Sequence, residues 1–279
     1  INKLFHAQVG TDSDKFINHP VAVNASVDER LREHMAGRGK LCLYNETMQD
    51  APDIHFRADD DVRFLAPFYT SAFFEDWRQG TWTKRFIRDH IRYSDEIVCA
   101  AARVVGAVRQ IAKERDPIGN PDGSFDTLHI RRNDFKSQYK DMVRSCEELY
   151  EYSKDKLKPN STIFIATDEH NKEFFAPFKE NYHVLFLSDF KGLVNDTNSN
   201  YFGFIDQLVA ARGKIFYGTF MSTFSAYVNR MRGYYSVRDH LDGYKEGRLQ
   251  SFYFYPEGRK NEMTVYAPIT RAFWMKAFP

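Results

Sequence analysis

His129, Arg131 and Arg132 stand in the stretch Asp126-Thr127-Leu128-His129-Ile130-Arg131-Arg132-Asn133-Asp134-Phe135, where an apolar run ends abruptly in two guanidinium groups. Arginine carries a fixed fork of N–H donors and stays charged at any working pH, which suits it to gripping phosphate. Taken as a strand, Phe125 to Arg131 sends His129 and Arg131 to one face and Arg132 to the other, because alternate side chains share a face. Two readings fit these residues: an anion site at the carboxyl end of a buried strand, or solvated arginines just past a strand end. A second candidate is the loop Gly218-Thr219-Phe220-Met221-Ser222-Thr223. It combines glycine, hydroxyls and a helix start, whose free N–H groups favour a phosphate. Ser222 and Thr223 also suit plain capping of that helix, and the two roles are compatible.

The elements that must position these residues follow from hydrophobic periodicity. From Lys84 to Lys113, apolar residues such as Ile87, Ile91, Val98, Ala101, Val105 and Val108 recur at helical spacing, giving one long helix or two in succession, closed by Pro117 and Gly119. Short apolar strands then alternate with amphipathic helices. Strands are expected at Phe125–Arg131, Thr162–Ala166, Val184–Leu187 and Lys214–Tyr217. Tyr139, Met142, Val143, Cys146, Leu149 and Tyr150 mark one helix face. Further helices are expected at Glu169–Phe178, capped by Thr167-Asp168, at Tyr201–Arg212, stopped by Gly213, and at Phe224–Arg232, stopped by Gly233. Four β-α units in series imply an α/β fold with a parallel sheet covered on both faces, and ligands bind beyond the carboxyl ends of such strands. A diphosphate ligand spanning Arg131 and the Ser222–Thr223 loop is the site this pattern implies.

Composition narrows the function classes. The chain has 279 residues, 43% hydrophobic and 16% aromatic, which supports a substantial core. With 39 basic against 38 acidic residues it lacks the excess that nucleic-acid binding needs. No apolar run has the length of a membrane span, so no membrane anchor is visible. Neither a P-loop lysine nor Gly-x-Gly-x-x-Gly occurs, which removes support for ATP hydrolysis and dinucleotide redox. Cys42, Cys99 and Cys146 have no metal-type spacing, and Cys146 fits a buried thiol. Asp59-Asp60-Asp61 contains an Asp-x-Asp pattern that some sugar transferases use for a divalent metal; without a strand leading into it, a solvated acidic cap is the favoured reading. Sequons at Asn24, Asn45, Asn160 and Asn195 lean toward the secretory pathway, in the endoplasmic reticulum or Golgi lumen. Both ends of the chain read as cut.

Three segments together resemble one family. His129-Ile-Arg-Arg-Asn-Asp-Phe135, Ile163-Phe-Ile-Ala-Thr-Asp168, and Ile205-Asp-Gln through Thr219-Phe-Met-Ser-Thr-Phe-Ser225 look like the three motifs of the GDP-fucose protein O-fucosyltransferases. Arg88-Asp-His-Ile-Arg-Tyr-Ser-Asp-Glu96 is similar to the helix preceding them in plant and algal members. The likeness runs from about residue 84 to residue 232.

The resemblance implies a GT-B glycosyltransferase with facing Rossmann-like domains. Residues 1–115 would then be an incomplete amino-terminal domain with connecting helices, and residues 116–279 the GDP-sugar-binding domain. It further implies inverting transfer of L-fucose from GDP-fucose to a Ser/Thr hydroxyl of a protein acceptor, with no metal and no cofactor. In this reading Arg131 is catalytic and stabilises the GDP leaving group, His129 contacts the donor, and Asp206 lies near the guanine. Ser222, Thr223 and Phe224 wrap the nucleotide and phosphates. The family's amino-terminal glycine-rich motif has no counterpart, Ala36-Gly-Arg-Gly39 being poorly placed, and no catalytic base is identified. An α1,6-fucosyltransferase acting on glycans, whose motif continues Asp-Lys where this chain has Asp134-Phe135, is the nearest alternative. A non-catalytic sugar-nucleotide or glycan-binding module is another.

Overall fold

A computed structural model of the chain describes residues 92–140, 143–240, 249–255 and 261–263, residue 50, and the backbone of two short strands, β1 (His6–Val9) and β2 (Lys40–Leu43). The chain divides into two compact units, Ile1–Arg88 and Asp89–Pro279. In the first, β1 and β2 pair antiparallel with His6 opposite Leu43. Asp59–Asp61, Ala36–Gly39, the sequons at Asn24 and Asn45, and the part of the expected long helix before residue 92 lie outside the described residues.

The second unit is built on a five-stranded sheet of β3 (Asp126–Ile130), β4 (Thr162–Thr167), β5 (His183–Leu185), β6 (Phe216–Gly218) and β7 (Ser251–Tyr253), in the spatial order β5-β4-β3-β6-β7. Every neighbouring pair is parallel. Such strands are buried on both faces and read as continuous apolar runs. β3 accordingly has all five residues buried. Thr127, and Phe125 just before the strand, meet one layer; Leu128 and Ile130 meet the other.

The first layer holds α1 (Asp95–Arg115), α5 (Phe202–Ala210) and α6 (Thr223–Asp239), packed on Phe125, Phe164, Ala166 and Phe216. α1 buries Ile97, Val98, Ala101, Val104, Val105, Val108 and Ala112 as one stripe, with Asp95 and Glu96 in its first turn and Lys113 and Arg115 in its last, as the helix dipole favours. The opposite layer holds α3 (Cys146–Ser153) and α4 (Ala176–Lys179), with a short α2 (Phe135–Gln138) following β3. Cys146 is buried there, which pushes its thiol up to about 12. Among the described residues no helix is long and apolar enough to cross a membrane.

The structure corrects several expected boundaries. α3 begins only at Cys146, because Ser145 and Glu148 form a reciprocal capping box there: Glu148 N–H donates to Ser145 Oγ at 3.3 Å and Ser145 N–H to Glu148 Oε2 at 2.8 Å. The expected helix 169–178 is a 3-10 turn, Lys172–Phe175, capped by Asn171 and followed by α4. α6 passes through Gly233 and ends at His240 in the left-handed region (φ 51°), since buried Met231, Tyr234 and Tyr235 outweigh the local cost of one helical glycine. Strand β7 went unanticipated.

Candidate functional site

From β3 the chain moves through β4 to β5 at one edge, then returns to β6 on the other side of β3. The helices after β3 and after β6 leave to opposite layers, which opens a crevice beyond the carboxyl ends of these two strands. The loops at Arg131 and at Thr219–Ser222 are the two walls of that crevice.

Thr219 fixes the walls to each other. Its N–H and its hydroxyl both donate to the His129 carbonyl, at 3.1 and 3.0 Å, while the hydroxyl oxygen accepts the Arg131 N–H at 3.0 Å. One level below, His129 is 3% exposed; a 2.7 Å hydrogen bond joins its Nδ1 to Ser225 Oγ, and its ring stacks on Phe224 with centroids 4.1 Å apart. Burial, and then the Arg131 charge, push the imidazole down to about 3, so it is neutral at any physiological pH. Gly218 permits this approach of α6 to β6: a Cβ there would lie 2.7 Å from Ser225 Oγ and 2.8 Å from Ser225 Cβ.

Arg131 and Arg132 leave the sheet in opposite directions. Arg132 is structural: its Nε donates to Glu169 Oε2 at 2.9 Å, its Nη1 to the Arg144 carbonyl at 3.0 Å, and its guanidinium lies 3.7 Å from the Phe174 ring centroid. The Arg131 side chain is 35% exposed. Its Nε and Nη2 form a fork on Asp134, at 3.0 and 2.8 Å, and Nε lies 3.8 Å from Asp168 Oδ2. This pairing holds the Asp134 carboxyl below the usual range. Nη1 of Arg131 has no partner among the described residues. The loop itself is cradled by Asp168, whose carboxylate accepts the N–H groups of Arg132 at 2.8 Å and of Asn133 at 3.2 Å. Asp168 therefore supports the β3 loop and does not cap the helix that follows it in sequence.

On the other wall, Ser222 occupies the N-cap of α6, yet its side chain makes no capping bond. Among the described residues no acceptor is seen for the first-turn N–H groups of Thr223, Phe224 and Ser225, the kind of helix start that favours an anion. Ser222 is buried and Thr223 exposed. Just before them, Met221 is 54% exposed and holds φ at 62°, a conformation costly for a residue with a side chain.

Asp206 sits further along the rim, on α5, which packs against β4. The residue is partly accessible, but its Oδ1 is buried without a hydrogen-bond partner. Burial pushes the carboxyl up to about 8, with the Lys172 charge opposing. The structure thus brings His129, Arg131, Ser222, Thr223 and Phe224 to adjacent crossovers, and leaves Asp206 beside the β4 connection. Thr219, Ser225 and Asp134 lay within the motifs, but their roles were not assigned from sequence, and Asp168 was read as a helix cap; the hydroxyls and carboxylates flanking the arginines were the available signal. Among the described residues, no three His, Cys, Asp or Glu side chains gather as a metal site.

A family model described as GDP-fucose protein O-fucosyltransferase matches residues 42–235, which includes the whole crevice from His129 to Ser225. No curated protein matches the chain.

Proposed function

The chain belongs to the GDP-fucose protein O-fucosyltransferase family, and from that premise we propose that it moves L-fucose from GDP-fucose to a Ser/Thr hydroxyl of a protein acceptor, with inversion and without a metal. The observation that carries this reading is the crevice itself: Arg131 and the uncapped start of α6 flank one junction, β3 against β6. A diphosphate lying there would accept from the first-turn N–H groups and from the free Nη1 of Arg131. The Asp134 fork would then be exchanged for phosphate oxygens.

As transfer proceeds, the acceptor hydroxyl oxygen bonds to the fucose anomeric carbon from the face opposite GDP and gives up its proton to water. The bond to the β-phosphate oxygen breaks, and its electron pair stays on GDP. Charge grows on that oxygen, and a guanidinium that has exchanged Asp134 for it stabilises the transition state more than the ground state. His129, neutral and held by Ser225 and Phe224, backs the site with a fixed dipole rather than a second charge. The same proposal places the enzyme in the lumen of the endoplasmic reticulum or Golgi, supported by sequons at the exposed residues Asn160 and Asn195.

Arg131→Lys tests the assignment, since it keeps the charge and loses the fork. Transfer from GDP-fucose to a competent acceptor is expected to fall roughly 100- to 1000-fold. Turnover comparable to the parent would overturn the role of Arg131, and efficient use of free glycans in place of protein would overturn the acceptor.

A further inference from the structure

Phe220 and Met221 stand in the middle of the Thr219–Ser222 loop and belong to neither hydrophobic layer of the sheet. Met221 is the more exposed of the two, at 54%, and it holds φ at 62°. Left-handed backbone suits glycine and asparagine and disfavours a residue with an unbranched apolar side chain. For the turn alone, asparagine would serve better than methionine. A side chain that strains the backbone and buries little of itself does nothing for the fold that asparagine would not do. Strain kept at the rim of a site points to a task for the side chain that causes it.

Met221 follows directly on an apolar surface. The Phe220 ring packs edge-on to Tyr253 with centroids 5.3 Å apart, and tilted to Tyr255 at 4.4 Å. All three rings are half-buried, and none of the four side chains is charged. Tyrosine, phenylalanine and methionine are enriched where protein surfaces dock, and a thioether adapts its shape to an uneven partner. The surface is also continuous with the crevice. Phe220 lines one hollow with Arg131 and Thr219, and the Thr219 hydroxyl accepts the Arg131 N–H. A transferase of this family must bring an acceptor to bonding distance of the donor sugar, so the acceptor lies across this rim. The charged donor has its own partners in Arg131 and the first turn of α6, and an uncharged surface offers it little.

We propose that Met221, backed by Phe220, is a specificity-determining residue for the acceptor. It packs on an uncharged, apolar side chain of the acceptor protein next to the Ser/Thr that receives the sugar. This rests on the transferase reading of the crevice and adds the acceptor half to it.

The test uses the full chain, radiolabelled GDP-fucose, and total protein extracted from the native cell after deletion of this chain. Label in protein is followed over a range of extract concentrations, and GDP affinity is titrated separately. Met221→Asn accepts the left-handed backbone and removes the apolar side chain, whereas Met221→Leu keeps an apolar one. The asparagine variant is expected to need roughly 10-fold more extract for half-maximal labelling, with the plateau and the GDP affinity of the parent. The leucine variant is expected to stay within about twofold of the parent. A purely structural role for Met221 predicts the opposite sign: relieved of strain, the asparagine variant would melt higher and label at least as well as the parent. Half-maximal labelling by Met221→Asn at the parent's extract concentration overturns the assignment and leaves the transferase reading standing. Loss of GDP affinity in that variant also overturns it, by moving Met221 to the donor side. A parent chain that labels no protein, or labels only free glycans in the extract, overturns both.

Discussion

Arg131 and Arg132 differ by one position in sequence and by the face of the sheet from which they leave. Period-2 alternation in β3 is enough to separate them, and this much was legible: one guanidinium goes with His129, the other away from it. The partners were not legible. Asp134 lies three residues beyond Arg131 in a loop, and its reach back to the fork depends on turn geometry that no spacing rule encodes. Asp206 was assigned by likeness alone, since one carboxylate in an apolar helix carries no local sign of being unpartnered. Its burial makes a measurable prediction. The folded-state value is raised from 3.8 to about 8, so the folded protein holds this proton more tightly than the unfolded chain does. Its contribution to stability is therefore full below about pH 4, declines as pH rises, and levels off above about pH 8. Asp206→Asn removes the slope. Thermal melts of the variant are expected to gain on the parent steadily between pH 5 and 8, and parallel curves would show that the carboxyl is not buried in its charged form.

Elements carry the next level of precision. Strand cores were readable because short apolar runs bounded by polar residues have few alternatives. Helix ends were less so, since a capping box or a 3-10 turn is decided by one or two side chains. Ser145-x-x-Glu148 was in plain view as the start of α3, but the apolar face upstream masked it. Gly233 read as a stop and is not one, because the tertiary layer against α6 overrides local propensity. Gly218 is the opposite case, where the constraint is close approach rather than backbone freedom. A methyl group there would meet Ser225 within 2.7–2.8 Å and Met263 Cε at 2.9 Å. Gly218→Ala is expected to push the start of α6 from β6, costing about 1–3 kcal/mol of stability. It should also loosen the Ser225–His129 bond. Denaturant unfolding measures the first effect, and an unchanged midpoint would mean that α6 yields freely.

At the scale of the whole molecule, the order of the strands decides where chemistry is possible. The number of β-α units was evident from the sequence; their lateral order was not, because loop length does not say to which side of β3 the chain returns. The return beside β3 puts the Arg131 loop and the Thr219–Ser222 loop together. Asn160 precedes β4, so it lies at the end of the sheet away from the crevice, while Asn195 lies between β5 and α5. Lumenal passage predicts an N-linked glycan on each, seen as a mass shift on endoglycosidase treatment of the natively expressed protein and lost with Asn→Gln at each site. Unmodified asparagines in protein made through the secretory route would count against that compartment. The Arg131–Asp134 fork has its own effect at this scale. If Arg131 serves a diphosphate as proposed, a cation kept matched to an internal counter-ion projects little field of its own into solution, so it neither gathers stray anions nor draws the donor from afar. Recognition is postponed to contact, where only a ligand with more to offer the guanidinium than a single carboxylate makes the swap.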